Sequence, residues 1–371
     1  MSDRREFLKD MATATAGIFF TGCGLLETAH AFQQAGGGSG KRREVVVGGR
    51  RVRTIDIHCH CYIREAVEMV KGYDQAKSLA ASLDSPEGKK LNLVAVKDRL
   101  KEMDEQGIDI QAVSLATTHF HYWADRDLAV KLVQFQNEKI AELCSTYPDR
   151  FAGIGTVAMQ HPDLAAEQME QALKKLGLRG ITINANINGE ELASPKFNPF
   201  WAKAEELGTF IFIHPSGVPD ADRRFQGTGR LSNVIGNPLD TTVALSHMIF
   251  EGTLDRYPGL KLCAAHGGGF LGSYIGRSDH CAEFDAACKS KKRPSEYLKQ
   301  LYFDSLVYTG EGLRHLVAEV GADRILLGTD YPYVMGDPDA INHILGTPGL
   351  SDAQKQAILG GNAAKLLRIK S

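Results

Sequence analysis

The chain has 371 residues, 24% of them charged, and a formal net charge of −2. That balance excludes the basic excess of a nucleic-acid-binding surface, and no run of about 18 or more apolar residues offers a membrane-spanning helix. An apolar share of 43% suits a globular chain of one or two domains, and α/β barrels of this size are often one.

In chain order, Ser2-Asp3-Arg4-Arg5-Glu6-Phe7-Leu8-Lys9 has the pattern of a twin-arginine export signal. A mildly apolar stretch from Met11 to Leu26 follows, and Ala29-His30-Ala31 has the small-x-small form of a cleavage site. Residues 1–31 are therefore expected to be a signal peptide. The protein is expected to be periplasmic or otherwise extracytoplasmic, engaging the export machinery transiently. Cys23 lacks the leucine that marks a lipoprotein attachment site. Residues 32–50, with the glycine-rich Gly36–Lys41, read as linker and lead-in, and residues 51–371 as the folded domain.

The stretch Thr54-Ile55-Asp56-Ile57-His58-Cys59-His60 alternates apolar residues with a period of two and reads as a β-strand. Unbroken alternation places Asp56, His58 and His60 on one face and Ile55, Ile57 and Cys59 on the other. Two imidazoles so spaced can grip one metal ion, or can be two satisfied core histidines. The seven cysteines fit no disulfide framework, and Cys59 and Cys61 are expected to be structural.

Tyr62 to Lys90 reads as a polar, irregular insertion. A helix with Val96, Leu100 and Met103 on one face follows, stopped by Gly107. Further strands are expected at 110–116, 151–157, 180–184, 209–214, 260–266, 301–306 and 324–330. Helices are expected at 127–147, 162–176, 199–207, 241–254 and 352–367, with a long loop from Ser216 to Asn237. Short apolar strands alternating with amphipathic helices eight times predict a single parallel (β/α)₈ barrel of the TIM type.

Active sites of such barrels lie at the carboxyl ends of the strands. His58 and His60 close strand one, His214 strand five, His266 strand six and Asp330 strand eight. Five polar residues converging on one face are hard to explain as packing, because buried polar groups need partners. Histidines with a carboxylate suit a divalent ion, Zn²⁺ first and Mn²⁺ as the alternative.

These stretches resemble the amidohydrolase superfamily, in its amidohydrolase 2 branch, that of aminocarboxymuconate-semialdehyde decarboxylase. The resemblance runs from about Thr54 to Leu367 and is carried by five stretches besides the first strand: Tyr122-Trp123-Ala124, Tyr147-Pro148-Asp149-Arg150-Phe151, Phe212-Ile213-His214-Pro215, Ala265-His266-Gly267-Gly268-Gly269 and Leu327-Gly328-Thr329-Asp330-Tyr331-Pro332. It implies that His58, His60, His214 and Asp330 hold the metal, with His266 as the acid/base group. It further implies a homodimer in which Arg277 reaches a neighbouring site to meet a substrate carboxylate. The family's other carboxylate-binding arginine, early after strand one, has no match before Leu91, where Lys89 and Lys90 stand instead. Lysine does not reproduce a bidentate guanidinium, and Lys90 is the candidate in its place.

Strand four, Gly180-Ile181-Thr182-Ile183-Asn184, has no lysine to bridge two metals, so one ion is expected. The resemblance implies a metal-dependent, non-oxidative decarboxylase of an unsaturated or aromatic carboxylic acid. The same residues would also serve a hydrolase of a lactone, ester or amide, with Asp330 and His266 shuttling protons. Tyr122 and Trp123, after strand two, are candidates to floor the pocket of a planar substrate, and Arg223 and Arg224 offer cations in the long loop.

Overall fold

Eight parallel strands form one sheet whose spatial order is the order of the chain. They are β1 (Ile55–Cys61), β2 (Ile110–Leu115), β3 (Phe151–Gly155), β4 (Gly180–Asn184), β5 (Phe210–His214), β6 (Lys261–Ala264), β7 (Tyr302–Asp304) and β8 (Ile325–Leu326). The computed structural model describes residues 42–77, 79, 83–93, 95–218 and 222–370. The expected export signal and glycine-rich linker lie outside the described residues.

The sheet closes on itself between its first and last strands. The Ile57 N–H donates to the Leu327 carbonyl at 2.9 Å and the His60 N–H to the Tyr331 carbonyl at 2.7 Å. The eight barrel strands are almost wholly buried and largely apolar, as expected where one face meets the barrel interior and the other a layer of helices. Ile55, Ile57, Phe210 and Phe212 share the inner cluster, while Met103, Ile140, Met169, Trp201 and Leu245 pack in the outer one.

Three expectations need correction. The register of β1 on β2 shifts between Asp56 and Cys59. Strict alternation therefore fails: Ile55 and Ile57 face the interior, yet so do His58 and His60, while Cys59 and Cys61 join the outer core. Asp56 leaves the histidine face and accepts from Thr329 Oγ1 at 2.7 Å and Gln111 Nε2 at 3.3 Å. The segment after β1 is not irregular throughout, because Arg64–Val70 and Pro86–Leu91 are helices. Ala66, Val67 and Val70 are buried at helical spacing, a signal its polar residues masked. Part of the lead-in is folded, a hairpin of Val46–Val47 and Arg50–Arg51 with Val45 and Val47 buried. The last helix is found where expected, running from Asp352 to Leu366 and widening to a π-helical turn at Ala357–Gly361. There a side chain at Gly360 would collide with the Arg53 carbonyl at the foot of β1.

Candidate metal centre

The inward turn of β1 delivers His58 and His60, the end of β5 delivers His214, and the segment after β8 delivers Asp330. All four are buried, and one ligand atom from each lies within 4.8 Å of the others. His58 Nδ1 is taken by Asp304 and His214 Nδ1 by the Pro215 carbonyl at 2.8 Å, so both rings present Nε2 to the centre. Fixing one ring nitrogen to aim the other is how metal-ligating histidines are held. His58 Nε2 and His60 Nε2 stand 3.2 and 3.0 Å from Asp330 Oδ1, and that oxygen makes no hydrogen bond of good geometry. His214 Nε2 is likewise buried without a hydrogen-bond partner.

The electrostatics fit a cation. Burial is the largest influence on His58 and opposes a charge there, but Asp330 and then Asp304 outweigh it and raise the pKa to about 10. This point therefore favours positive charge, which a divalent ion supplies as well as a proton does. Burial lowers the pKa of His60, and burial with the neighbouring imidazoles lowers that of His214, so both keep free lone pairs. Burial opposes ionisation of Asp330, yet the facing imidazoles, the charge of His58 foremost, hold its pKa well below the carboxylate range. Neutral imidazoles with an ionised carboxylate form a donor set for one divalent ion. Among the described residues no other group of this kind occurs.

His266 and Asp330 were expected as the last residues of their strands, and both stand beyond them. His266 lies two residues past β6 and Asp330 four past β8, with φ of 55° and 57°. Left-handed backbone is costly for side chains with a Cβ and tends to be kept where function needs it. His266 Nε2 lies 3.8 Å from Asp330 Oδ2, beside the four donors but outside their group.

Two supporting residues escaped the sequence reading. Asp304, the last residue of β7, accepts from His58 Nδ1 and from the His266, Gly267 and Leu306 N–H groups at 2.6, 2.9, 2.8 and 3.1 Å. It ends an apolar strand as the ligands do, which was its signal. Arg99, buried in the helix Val96–Gln106, donates to the His60 carbonyl and lies 4.8 Å from the Tyr331 ring centre, bracing both sides of the closure. Nothing in its helical pattern marks it.

The other candidates divide. Tyr122 and Trp123 line a cavity of about 540 Å³ whose wall also includes Ser216 and Asn184, the register partner of His214. Lys90 does not join the cluster: its ammonium pairs with Glu102 at 2.9 Å and borders a separate surface hollow. Arg64, which opens the helix after β1, pairs with Asp84. Arg223 and Arg224 are exposed and do not line the cavity. Arg277 is exposed on the helix Ile275–Ala282, and its neighbouring acids are engaged elsewhere, Asp279 by the Ser295 N–H and Glu283 by Arg293.

A (β/α)₈ barrel with a buried three-histidine, one-carboxylate centre at its carboxyl end defines a class, the metal-dependent barrel enzymes. Within it the chain belongs to the amidohydrolase family, whose model matches residues 55–369. It is 34% identical to a 2-amino-3-carboxymuconate-6-semialdehyde decarboxylase of Dictyostelium discoideum, over 85% of this chain and 84% of that one. A 5-carboxyvanillate decarboxylase from Sphingomonas paucimobilis superposes with a TM-score of 0.78 at 27% identity, covering 86% of this chain and all of the other. A dihydroxybenzoic acid decarboxylase from a Polaromonas species, solved with manganese and the inhibitor 2-nitroresorcinol, gives 0.74 at 25% identity, over 86% and 97%.

Proposed function

We propose that this protein is a metal-dependent, non-oxidative decarboxylase of an unsaturated or aromatic carboxylic acid. The observation that carries the reading is the buried one-ion donor set with His266 at its edge. The three relatives named above are decarboxylases, which favours this reading over lactone, ester or amide hydrolysis.

A divalent ion held by His58, His60, His214 and Asp330 would supply Lewis acidity toward a substrate oxygen. His266 holds the proton to be moved, at Nε2. As the bond between the substrate carbon and its carboxylate breaks and CO₂ leaves, that proton is delivered to the carbon. Tyr122 and Trp123 flank the substrate body, and Asp304 fixes His58. Zn²⁺ is the proposed ion; manganese in the Polaromonas neighbour makes Mn²⁺ the alternative.

The protein is further proposed to act as an exported homodimer, with Arg277 meeting a substrate carboxylate across the interface. Supporting this, Tyr274 and Phe284, 65% and 71% exposed, flank Arg277 at the surface.

The test is a screen of the metal-loaded protein against aromatic and unsaturated acids in D₂O. The expected result is CO₂ release with one deuterium placed on the vacated carbon. Ring opening of lactones or ester cleavage without CO₂ release would replace the proposal by the hydrolase reading.

A further inference from the structure

The foot of the barrel, at the opposite end from the metal donors, holds a second cavity, of about 270 Å³. The loop before β4, the turn before β5 and the end of the last helix wall it. Lys174, Arg179 and Arg368 line it, with Leu173 and Leu207 half-buried beside them, and none of its lining residues is Asp or Glu. The length of β5, Phe210–His214, sets it about 13 Å from the nearest metal donor at 3.3 Å per residue.

Gly208 stands at the middle of this cluster. It ends the helix Asn198–Leu207 with a φ of 58° and leaves open the place of a side chain. A Cβ there would lie 3.5 Å from Arg368 Nη2 and 3.5 Å from Lys261 Nζ, so those two cations are at most twice that distance apart. Lys261 opens β6, level with Phe210 on β5 and Gly180 on β4, the residue after Arg179. Among the described residues Arg179, Lys261 and Arg368 have no ion-pair partner. Nearby acids are engaged: Glu170 pairs with Lys174 at 2.5 Å, and Glu205 accepts the Gly259 N–H at 2.6 Å.

Cations complement the carbonyl ends of helices, and three helices end here, at Lys174, Leu207 and Leu366. Each end carries only about half a negative charge. With Glu170 added, four cations still stand in excess, and Arg179 and Lys261 belong to the feet of strands.

We infer that the foot of the barrel binds a phosphate monoester, with the phosphate over Gly208 between Arg368 and Lys261 and the organic body against Leu173 and Leu207. A phosphate carries about −1.5 to −2 charges at neutral pH and three acceptor oxygens, which balances the unpaired cations better than a single carboxylate does. The Arg368 guanidinium can meet it with two parallel N–H groups.

The experiment titrates phenyl phosphate into the metal-loaded full chain by calorimetry, with benzoate as the singly charged comparison. Lys261→Met and Arg368→Asn are each expected to weaken phenyl phosphate binding about 10- to 100-fold, with metal content unchanged. Asparagine tolerates the φ of 52° at position 368. Without phosphate both variants should keep or raise the Tm, because each removes one of several crowded like charges. Phenyl phosphate should bind at least about 10-fold more tightly than benzoate. If either variant does not fold, the exposed Arg179→Met carries the same test. Phosphatidylcholine vesicles with and without phosphatidic acid form a further arm. Binding to the acidic vesicles that Lys261→Met abolishes would place the phosphate on a lipid, and phenyl phosphate binding alone would place it on a soluble ester.

Affinity unaltered in all folded variants, or binding abolished by Asp330→Ala alone, would put the probe on the metal and overturn the inference. A lowered Tm with undiminished binding would reduce these cations to partners of the helix ends. Binding of neither phenyl phosphate nor acidic vesicles would also overturn it.

Discussion

His58 Nδ1 lies 2.6 Å from Asp304 Oδ2, with both side chains fully buried. The same carboxylate accepts the backbone N–H groups of His266 and Gly267, so one residue positions a metal donor and the turn bearing the proposed acid/base group. Asp304→Asn keeps the shape and loses the charge. We expect affinity for the divalent ion to fall about 10- to 100-fold, read by chelator competition, with turnover falling as well. Unchanged affinity would show that Asp304 does not orient His58.

His266 is predicted to move protons and not to bind the ion. Its φ of 55° makes asparagine a better replacement than alanine, because asparagine tolerates that backbone. His266→Asn should keep one ion per chain by elemental analysis and lose roughly 10²–10⁴-fold in kcat. Loss of metal as complete as in His214→Ala would instead make His266 a ligand.

Acid should weaken the fold through His119 and His121. Burial lowers their pKa values from 6.5 to about 3 and about 4. Between those values and 6.5 the unfolded chain binds more protons than the folded one. This contribution is therefore intact above pH 6.5 and is lost as pH falls toward 4. Denaturant unfolding at pH 7 and 5 should show a drop that the double variant His119→Gln, His121→Gln reduces by about 2–4 kcal/mol. Equal drops in both proteins would assign the acid sensitivity elsewhere.

Arg277→Ala should raise KM for acidic substrates about 10- to 100-fold, the worth of a charge-assisted contact, and leave metal content unchanged. Hybrid dimers of Arg277→Ala with Asp330→Ala should regain activity if the arginine serves the opposite subunit. Inactive hybrids, shown to be mixed, would confine it to its own chain.

Changing Arg4-Arg5 to Lys-Lys should abolish extracytoplasmic recovery of a tagged chain. Undiminished recovery would end the twin-arginine reading.

The barrel and the four donors were legible because each strand is a short apolar run and each ligand closes or follows one. What escaped was set by tertiary geometry. The register shift in β1 reversed the face of Asp56 without a mark in the residues, since Ile57 and Cys59 suit either side. Lys90 looked free to reach a substrate until Glu102, twelve residues on, claimed it. The Arg99 partners, a carbonyl of β1 and a ring after β8, are brought together only by closure of the sheet.

That closure gives the ion a second role. His58 and His60 lie on one side of the seam and Asp330 on the other, where Thr329 also ties to Asp56, 273 residues away in sequence. A growing chain carries all three histidine ligands long before it carries the carboxylate. High-affinity loading must therefore wait for nearly the whole domain, and a chain ending before Asp330 would hold its ion loosely and leave the seam unstitched. Occupancy of the centre thus reports that both ends of the domain have been made and have met. On chelation, amide exchange should quicken first along β1 and β8, before it reaches the opposite wall of the barrel.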